Sequence, residues 1–349
     1  MTKRLTIALD AMGGDRAPDM VVEGAELARE RFPTVRFLMY GPADRLGPLV
    51  DRWSHLAKVT TICHTEDVIT AEIKPSQALR NGRASSMRLA IEAVHNGSAD
   101  GVVSAGNTGA LMAISKFVLK THPSIDRPAI AAFFPTLRGE SVMLDLGANV
   151  ECDANNLVQF AVMGEVFART VLGYARPSVG ILNVGAEELK GHDAVRGAAA
   201  VLRESVLPIR FHGFMEGDDI GAGTVDVVVT DGFTGNVALK TLEGTARLFS
   251  VFLREAFRSS LAARLGYFFC RRALERLRER LDPRRYNGAV FVGLNGIVVK
   301  SHGGTDALGF ANAIGVAVDM ISNGFNARIK EELDRLSVDH EQATRAAAL

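Results

Sequence analysis

Val102-Val103-Ser104-Ala105-Gly106-Asn107-Thr108-Gly109 returns 126 positions later as Val228-Val229-Thr230-Asp231-Gly232-Phe233-Thr234-Gly235. Each copy is an apolar, β-branched run that breaks at a small polar residue and glycines. Each then opens into a helical pattern, Ala110-Leu111-Met112-Ala113 in the first and Asn236-Val237-Ala238-Leu239 in the second. A strand that ends in such a turn aims the free N–H groups of the next helix, with their partial positive charge, at one point. The chemistry this favours is the holding of an oxyanion without a metal. Two copies predict two such turns facing one cleft. A third segment, Gly185-Ala-Glu-Glu-Leu-Lys190-Gly191, sets an ammonium just past another strand end. Most lysines in such turns are solvated, but a cation beside backbone donors is what phosphate chemistry requires.

That segment begins in the turn Asn183-Val-Gly-Ala-Glu187, and three more turns share its composition: Asp10-Ala-Met-Gly-Gly-Asp15, Asp145-Leu-Gly-Ala-Asn149 and Lys300-Ser-His-Gly-Gly-Thr305. Every α/β protein needs Gly, Asn and Asp to turn from strand to helix, so any one of them is unremarked. As a set of six, expected on one rim, they predict a single large polar cleft. The residues expected to bind substrate or phosphate are Asp10, Gly13, Gly14, Gly106, Asn107, Thr108, Gly109, Asn149, Asp231, Gly232, Thr234, Gly235, His302 and Gly303. After the shared glycine the two copies part, Ala110 in one and Asn236 in the other, which places the chemistry at Asn236.

The elements that must carry these turns alternate along the chain. Strands are predicted at Thr6–Asp10, Val35–Tyr40, Gly101–Val103, Ala129–Phe134, Val142–Leu146, Val179–Val184 and Val225–Thr230, with segments of helical length between most of them. The run Ala289–Lys300 contains Gly293 and Gly296 and predicts a bend or a hairpin. Continuous Val/Ile/Leu runs mark strands buried on both faces of a mostly parallel sheet. The expected fold is α/β: a layered sheet with helices on both faces, in one domain over residues 1–330, followed by a tail over 331–349. Such sheets bind ligands beyond the carboxyl ends of their strands.

Composition removes several function classes. Forty basic and forty acidic residues balance to a formal charge of zero, which argues against nucleic acid as a partner. Cys63, Cys152 and Cys270 lie far apart without metal-ligand spacing, so no metal and no cofactor is expected, and a reducing compartment is. The N-terminus enters its first strand at once, predicting a cytoplasmic protein without a signal peptide. No GxGxxG follows the first strand, and GxxxxGK[ST], HExxH and GxSxG are absent.

Residues 247–285 depart from that balance, with eleven arginines and four acids. Phe249, Phe252, Leu253, Ala256 and Ser260 share one helical side, and Arg247, Arg254 and Arg258 fall opposite. Gly266 interrupts the pattern, predicting a basic helical hairpin over 245–286. Its expected tip is Leu265, Tyr267, Phe268 and Phe269, flanked by Arg264, Arg271 and Arg272. Peripheral membrane contact, a dimerisation arm and an acidic protein partner all fit this pattern.

The six motifs, in this order from about Leu5 to Asn323, resemble the bacterial phosphate acyltransferase (PlsX) family of phospholipid synthesis. The resemblance implies a fold similar to phosphate acetyltransferases and the isocitrate dehydrogenase group. It implies transfer of a long-chain acyl group from acyl carrier protein to inorganic phosphate, giving acyl phosphate. It also implies a homodimer with its cleft near the interface, and Lys190 and Asn236 as the catalytic residues. The product passes to a membrane-bound glycerol-phosphate acyltransferase, so contact with the membrane surface is expected. The alternatives are a phosphate acetyl- or butyryltransferase acting on acyl-CoA and a non-catalytic carrier-protein-binding scaffold.

Overall fold

A computed structural model describes residues 4–205, 209–280, 282 and 284–332. The tail predicted over 331–349 lies outside these residues except for its first two positions. The strands are β1 (Thr6–Asp10), β2 (Arg36–Gly41), β3 (Thr60–His64), β4 (Gly101–Ser104), β5 (Ala129–Thr136) and β6 (Gly139–Leu144). They continue with β7 (Ser178–Leu182), β8 (Arg210–Met215), β9 (Val227–Val229), β10 (Ala289–Val292) and β11 (Ile297–Lys300). Helices α1 (Asp19–Arg31), α2 (Ala43–Val50), α3 (Ser54–Ala57), α4 (Pro75–Asn81), α5 (Ser86–His95) and α6 (Thr108–Leu119) belong to the first part of the chain. The second part adds α7 (Ala154–Val171), α8 (Asp193–Glu204), α9 (Gly217–Ala222), α10 (Gly232–Arg258), α11 (Leu261–Arg280) and α12 (Ala307–Ser322).

One sheet runs through all of it, in the order β3-β2-β1-β4-β11-β10-β5-β6-β9-β7-β8. The first five strands are mutually parallel, and so are β6, β9, β7 and β8. Between these blocks three antiparallel pairings follow in succession, β11 with β10, β10 with β5 and β5 with β6. Three reversals leave the second block running opposite to the first. The carboxyl ends of β1, β4 and β11 therefore lie at one edge, and those of β6, β9 and β7 at the other. This corrects the single rim expected for the six turns: they divide three and three.

Both faces of the sheet are dry, which explains the continuous apolar runs. Ile7, Leu9, Val103, Val142, Leu144, Val227 and Val229 point into a core shared with α1, α7, α8 and α12. The residues between them, Ala8, Val102, Met143 and Val228, point into a second core with α4, α5, α6 and α9. In the first core Phe167 of α7 is fully buried, stacked on Phe133 at 5.1 Å and edge-on to Phe325 at 5.5 Å.

The predicted hairpin forms, with a different turn. Helix α10 does not begin near residue 245; it starts at Gly232 and continues to Arg258. The break falls at Ser259–Ser260, where the Ser260 hydroxyl accepts the Ala263 N–H at 3.1 Å and caps α11. Gly266 lies inside α11, so Leu265, Tyr267, Phe268 and Phe269 occupy its second and third turns instead of a loop. Leu265, Phe268 and Phe269 are exposed, and Tyr267 packs edge-on against Phe257 of α10 at 5.5 Å. Among the described residues no single helix is long and apolar enough to cross a membrane.

Phe167→Ala is expected to cost about 3–5 kcal/mol, the usual range for removing a buried aromatic ring. Urea denaturation measures it, and a loss below about 1 kcal/mol would mean that this core is not packed as described.

Candidate active site

At the first edge a buried carboxylate organises the turns. Asp10 ends β1 and is almost wholly buried. It accepts hydroxyl hydrogen bonds from Ser86 at the start of α5 and Ser104 at the end of β4, both at 2.6 Å. The Ser104 oxygen in turn accepts the Gly106 N–H at 3.0 Å. A Cβ on Gly13 would stand 2.6 Å from the Asp10 carboxylate and 2.7 Å from the Gly106 nitrogen, so only glycine lets the two turns approach. Gly14 has φ +108°, and the Asp15 N–H donates to the Gly303 carbonyl at 2.9 Å, joining the β1 and β11 turns. Burial pushes the Asp10 carboxyl above its usual range, against these hydrogen bonds, which lower it.

Asn107 caps α6: its side-chain oxygen accepts the Ala110 N–H at 2.9 Å, and its amide donates to the Ala71 carbonyl at 2.7 Å. Thr108 and Gly109 form the first turn behind it. The His302 N–H donates to Asn287 at 2.8 Å, while the imidazole accepts the Gly304 N–H at 3.1 Å. Lys300, the last residue of β11, lies partly buried with its ammonium donating to the carbonyls of Ala105 and Ser301. Burial pulls this ammonium down to about 8; Asp10 and Asp15 oppose the shift and Lys240 of α10 adds to it. Lys300 stood in a quoted motif but was not among the expected site residues. Its environment, not its spacing, marks it.

The second edge is built on Asp145, which is fully buried after β6. Its carboxylate accepts N–H groups from Ile130 at 2.9 Å, Ala148 at 3.0 Å and Asn149 at 2.7 Å. The Asn149 amide donates to this carboxylate at 2.9 Å and to the Pro128 carbonyl at 2.8 Å, so Asn149 is committed to the scaffold. Gly232 donates its N–H to the Asn149 carbonyl at 2.7 Å, which seats the start of α10 on the β6 turn. A Cβ on Gly235 would lie 1.9 Å from the Asp145 carbonyl oxygen. Asp231 caps the helix, accepting the Thr234 N–H and the Thr234 hydroxyl, both at 2.8 Å.

The repeated phrase is therefore not repeated in space. Its copies follow β4 and β9, at opposite edges. The helix starts at Thr108 in the first copy, but at Gly232 in the second, two residues earlier in the phrase. The cap falls on different positions, Asn107 and Asp231, because in each copy the Asx residue available next to the strand end takes it. The expectation of two equivalent turns facing one cleft is corrected to two differently capped turns at opposite edges.

Asn236 is exposed in the second turn of α10, beside Gly147 of the β6 turn, and its amide has no hydrogen-bond partner among the described residues. Lys190 follows β7, the parallel neighbour of β9, so both expected catalytic residues stand at the same edge. The Lys190 ammonium folds back over Gly185 and pairs with Glu187 at 2.8 Å, and this hydrogen bond raises its affinity for a proton. Asn183 holds the turn, its amide donating to the carbonyls of Gly185 and Lys190 at 3.1 Å. Both members of the Lys190–Glu187 pair are at least half exposed, so an anion can displace Glu187 at little cost. The second edge thus carries an exposed ammonium and an amide without a partner among the described residues, two groups able to neutralise an oxyanion.

The chain resembles known proteins over its whole length. Residues 5–328 match the family described as fatty acid synthesis protein. A phosphate acyltransferase of Paramagnetospirillum magneticum is 63% identical over 348 residues, covering 100% of this chain and 99% of the relative. One from Rhodospirillum centenum is 65% identical over 349 residues, covering 100% and 97%. Among solved structures, a phosphotransacetylase from Streptococcus pyogenes superposes with a TM-score of 0.63 at 17% identity, covering 92% of this chain and 95% of that one. A branched-chain phosphotransacylase from Enterococcus faecalis gives 0.56 at 13% identity, covering 91% and 99%. At these identities the two structures speak to the fold alone.

Two outcomes test this geometry. Gly235→Ala is expected to destabilise by about 3 kcal/mol or more, because the new methyl meets backbone rather than a yielding side chain; a thermal midpoint near wild type would refute the contact. Lys300→Met is expected to stabilise by roughly 2 kcal/mol at pH 7. Folding depresses this lysine's pKa, so the protonated form carries a cost that is complete below pH 8 and gone by about 10.5. The advantage of the Met variant in urea should accordingly shrink from pH 7 to pH 10.

Proposed function

Because the chain belongs to the fatty acid synthesis protein family, we propose that it moves a long-chain acyl group from acyl carrier protein to inorganic phosphate. It is a phosphate acyltransferase by its relatives, which sets aside the non-catalytic scaffold. The observation that carries the reading is that Lys190 and Asn236 each follow the carboxyl end of one of the neighbouring strands β7 and β9 and are exposed.

Phosphate is already an oxyanion nucleophile, so positioning matters more than a strong base. One phosphate oxygen attacks the thioester carbonyl carbon and forms the new C–O bond. The C–S bond then breaks, and the proton shed by phosphate ends on the departing sulfur. Between these events the carbonyl oxygen carries negative charge. Lys190 offsets that charge and Asn236 donates an amide N–H to it. No covalent enzyme intermediate is needed. Cys152, the cysteine nearest these turns, is held neutral by burial, its thiol pushed up to about 12.

The hairpin favours a carrier-bound, long-chain donor over acyl-CoA. A soluble short-chain substrate gives no reason for the exposed Leu265, Phe268 and Phe269 among arginines. In this reading α10 and α11 also pair two copies of the chain as a homodimer. Their outer turns touch the cytoplasmic membrane surface peripherally, where the acyl phosphate meets the membrane-bound glycerol-phosphate acyltransferase of phospholipid synthesis.

Asn236→Ala and Lys190→Ala are each expected to lower turnover on the order of 10²–10³-fold, the usual effect of losing one oxyanion donor. The assay follows phosphate-dependent release of free carrier protein against free CoA. Near wild-type turnover in Lys190→Ala would sink the assignment, and faster release of CoA would favour the acyl-CoA reading. Phe268→Asp with Phe269→Asp should abolish flotation with anionic vesicles while leaving turnover on soluble donor within about threefold. Unchanged flotation would remove the membrane contact.

A further inference from the structure

We propose that the groove between α10 and α11 holds one single-chain lipid with an anionic head, the acyl phosphate, on its way from the site to the membrane surface. The identity of the occupant rests on the transfer reaction proposed above. The two helices leave the Ser259–Ser260 corner with an open groove of about 1280 Å³ between them. Its floor is apolar along its length. Leu253 and Phe257 of α10 and Leu274 of α11 are half-buried in it, with Phe249, Tyr267 and Leu277 more exposed beside them. Near the corner the Phe257–Tyr267 ring contact at 5.5 Å joins the two walls. From Arg264 to Arg278 the α11 wall runs about 21 Å, which suits a long acyl chain better than a short one.

Six arginines and two acids also line the groove. Both acids are taken, Glu275 by Arg271 at 2.8 Å and Asp282 by Arg284 at 2.5 Å. Arg254, Arg258 and Arg264 make no ion pair within 4 Å among the described residues, and all three lie within two turns of the corner. An apolar floor with surplus positive charge at one end complements a molecule that is anionic at one end and apolar over the rest. The guanidinium forks match a phosphate head, and the floor takes the chain out of water. A second copy would bring the same surface, with eleven arginines against four acids over residues 247–285, so two such grooves facing each other repel. Leu248, Val251 and Phe252 are exposed outside the groove and leave a separate face for the pairing of two copies. A bilayer meets Leu265, Phe268 and Phe269, none of which lines the groove. Phe249 follows Asn236 by thirteen residues, roughly 20 Å along the same helix. The groove thus lies between Asn236 and the corner, on the way from one to the other.

Calorimetric titration of the whole protein with hexadecylphosphonate, a stable single-chain analogue kept below its micelle concentration, reads the groove without any turnover. One molecule is expected per chain. Arg258→Gln with Arg264→Gln should raise its Kd about 10- to 100-fold, the usual effect of losing charge-assisted hydrogen bonds, and the two Arg→Lys changes should keep most of the binding. Leu253→Gln with Leu274→Gln should raise the Kd about tenfold or more, and octylphosphonate should bind wild type about 100-fold more weakly or worse. Phe268→Asp with Phe269→Asp separates one lipid from a bilayer: the phosphonate Kd should stay within about threefold while vesicle flotation is lost. A Kd that follows flotation would assign the arginines to the membrane and overturn the proposal. So would a Kd within twofold of wild type in the arginine or the leucine variant, equal affinity for hexadecyltrimethylammonium, or displacement of the phosphonate by polyglutamate. Phosphonate that splits a dimer into monomers in sedimentation would give the groove to a second copy instead. Loss of the transfer reaction with phosphonate binding intact counts against that reading alone, and leaves the groove as a site for a single-chain anionic lipid.

Discussion

Three antiparallel pairings in the middle of the sheet, β11 with β10, β10 with β5 and β5 with β6, govern what the other elements can do. A parallel sheet collects its strand ends, and hence its helix N-termini, along one edge. Here the reversals send half of them to the other edge, so no single rim holds the polar turns. Helix α10 starts on the Asp145 turn at one edge and packs Ala238, Leu239 and Leu242 against the second core. The seat of that helix is correspondingly tight. Gly232 and Gly235 press on the backbone of the β6 turn, and Asp145 is held by the N–H groups around it. Burial alone would raise both Asp10 and Asp145, and at each of them the hydrogen bonds act in the opposite sense.

How legible each element was in the sequence follows from its burial. The central strands read clearly because both of their faces are dry, and the Ala289–Lys300 run is the hairpin that its glycines implied. Strands β3 and β8 were not foreseen. They close the two ends of the sheet, where Thr60-Thr61-Ile62-Cys63-His64 and Arg210-Phe211-His212 keep polar and half-exposed positions instead of an apolar run. Strand direction left no trace either, since a residue's burial is the same whichever way its neighbour runs. At the hairpin, Gly266 drew attention as a helix breaker, yet an exposed helix tolerates glycine at about 1 kcal/mol. The stronger signal was the Ser259-Ser260 pair, which ends one helix and caps the next.

At the site, residue type was a better guide than residue role. Asp10, Asn107, Asn149 and Asp231 have the chemistry of ligands and spend it on neighbouring turns. Asn236 and Lys190 are exposed after the neighbouring strands β9 and β7. Lys300 escaped notice because neither spacing nor composition distinguishes it from a solvated lysine. What distinguishes it is its place at the end of β11, with the ammonium on the carbonyls of Ala105 and Ser301.

The length of α10 has a mechanical meaning. Twenty-seven residues make a rod of about 40 Å, clamped at Gly232–Gly235 and projecting freely beyond Gly244. Asn236 stands within about 6 Å of that fulcrum and the Ser259–Ser260 corner some 40 Å from it. Leverage therefore runs in one direction. A swing of several ångströms at the corner reaches Asn236 as less than one. Displacement of the hairpin therefore leaves the amide beside Gly147 in register.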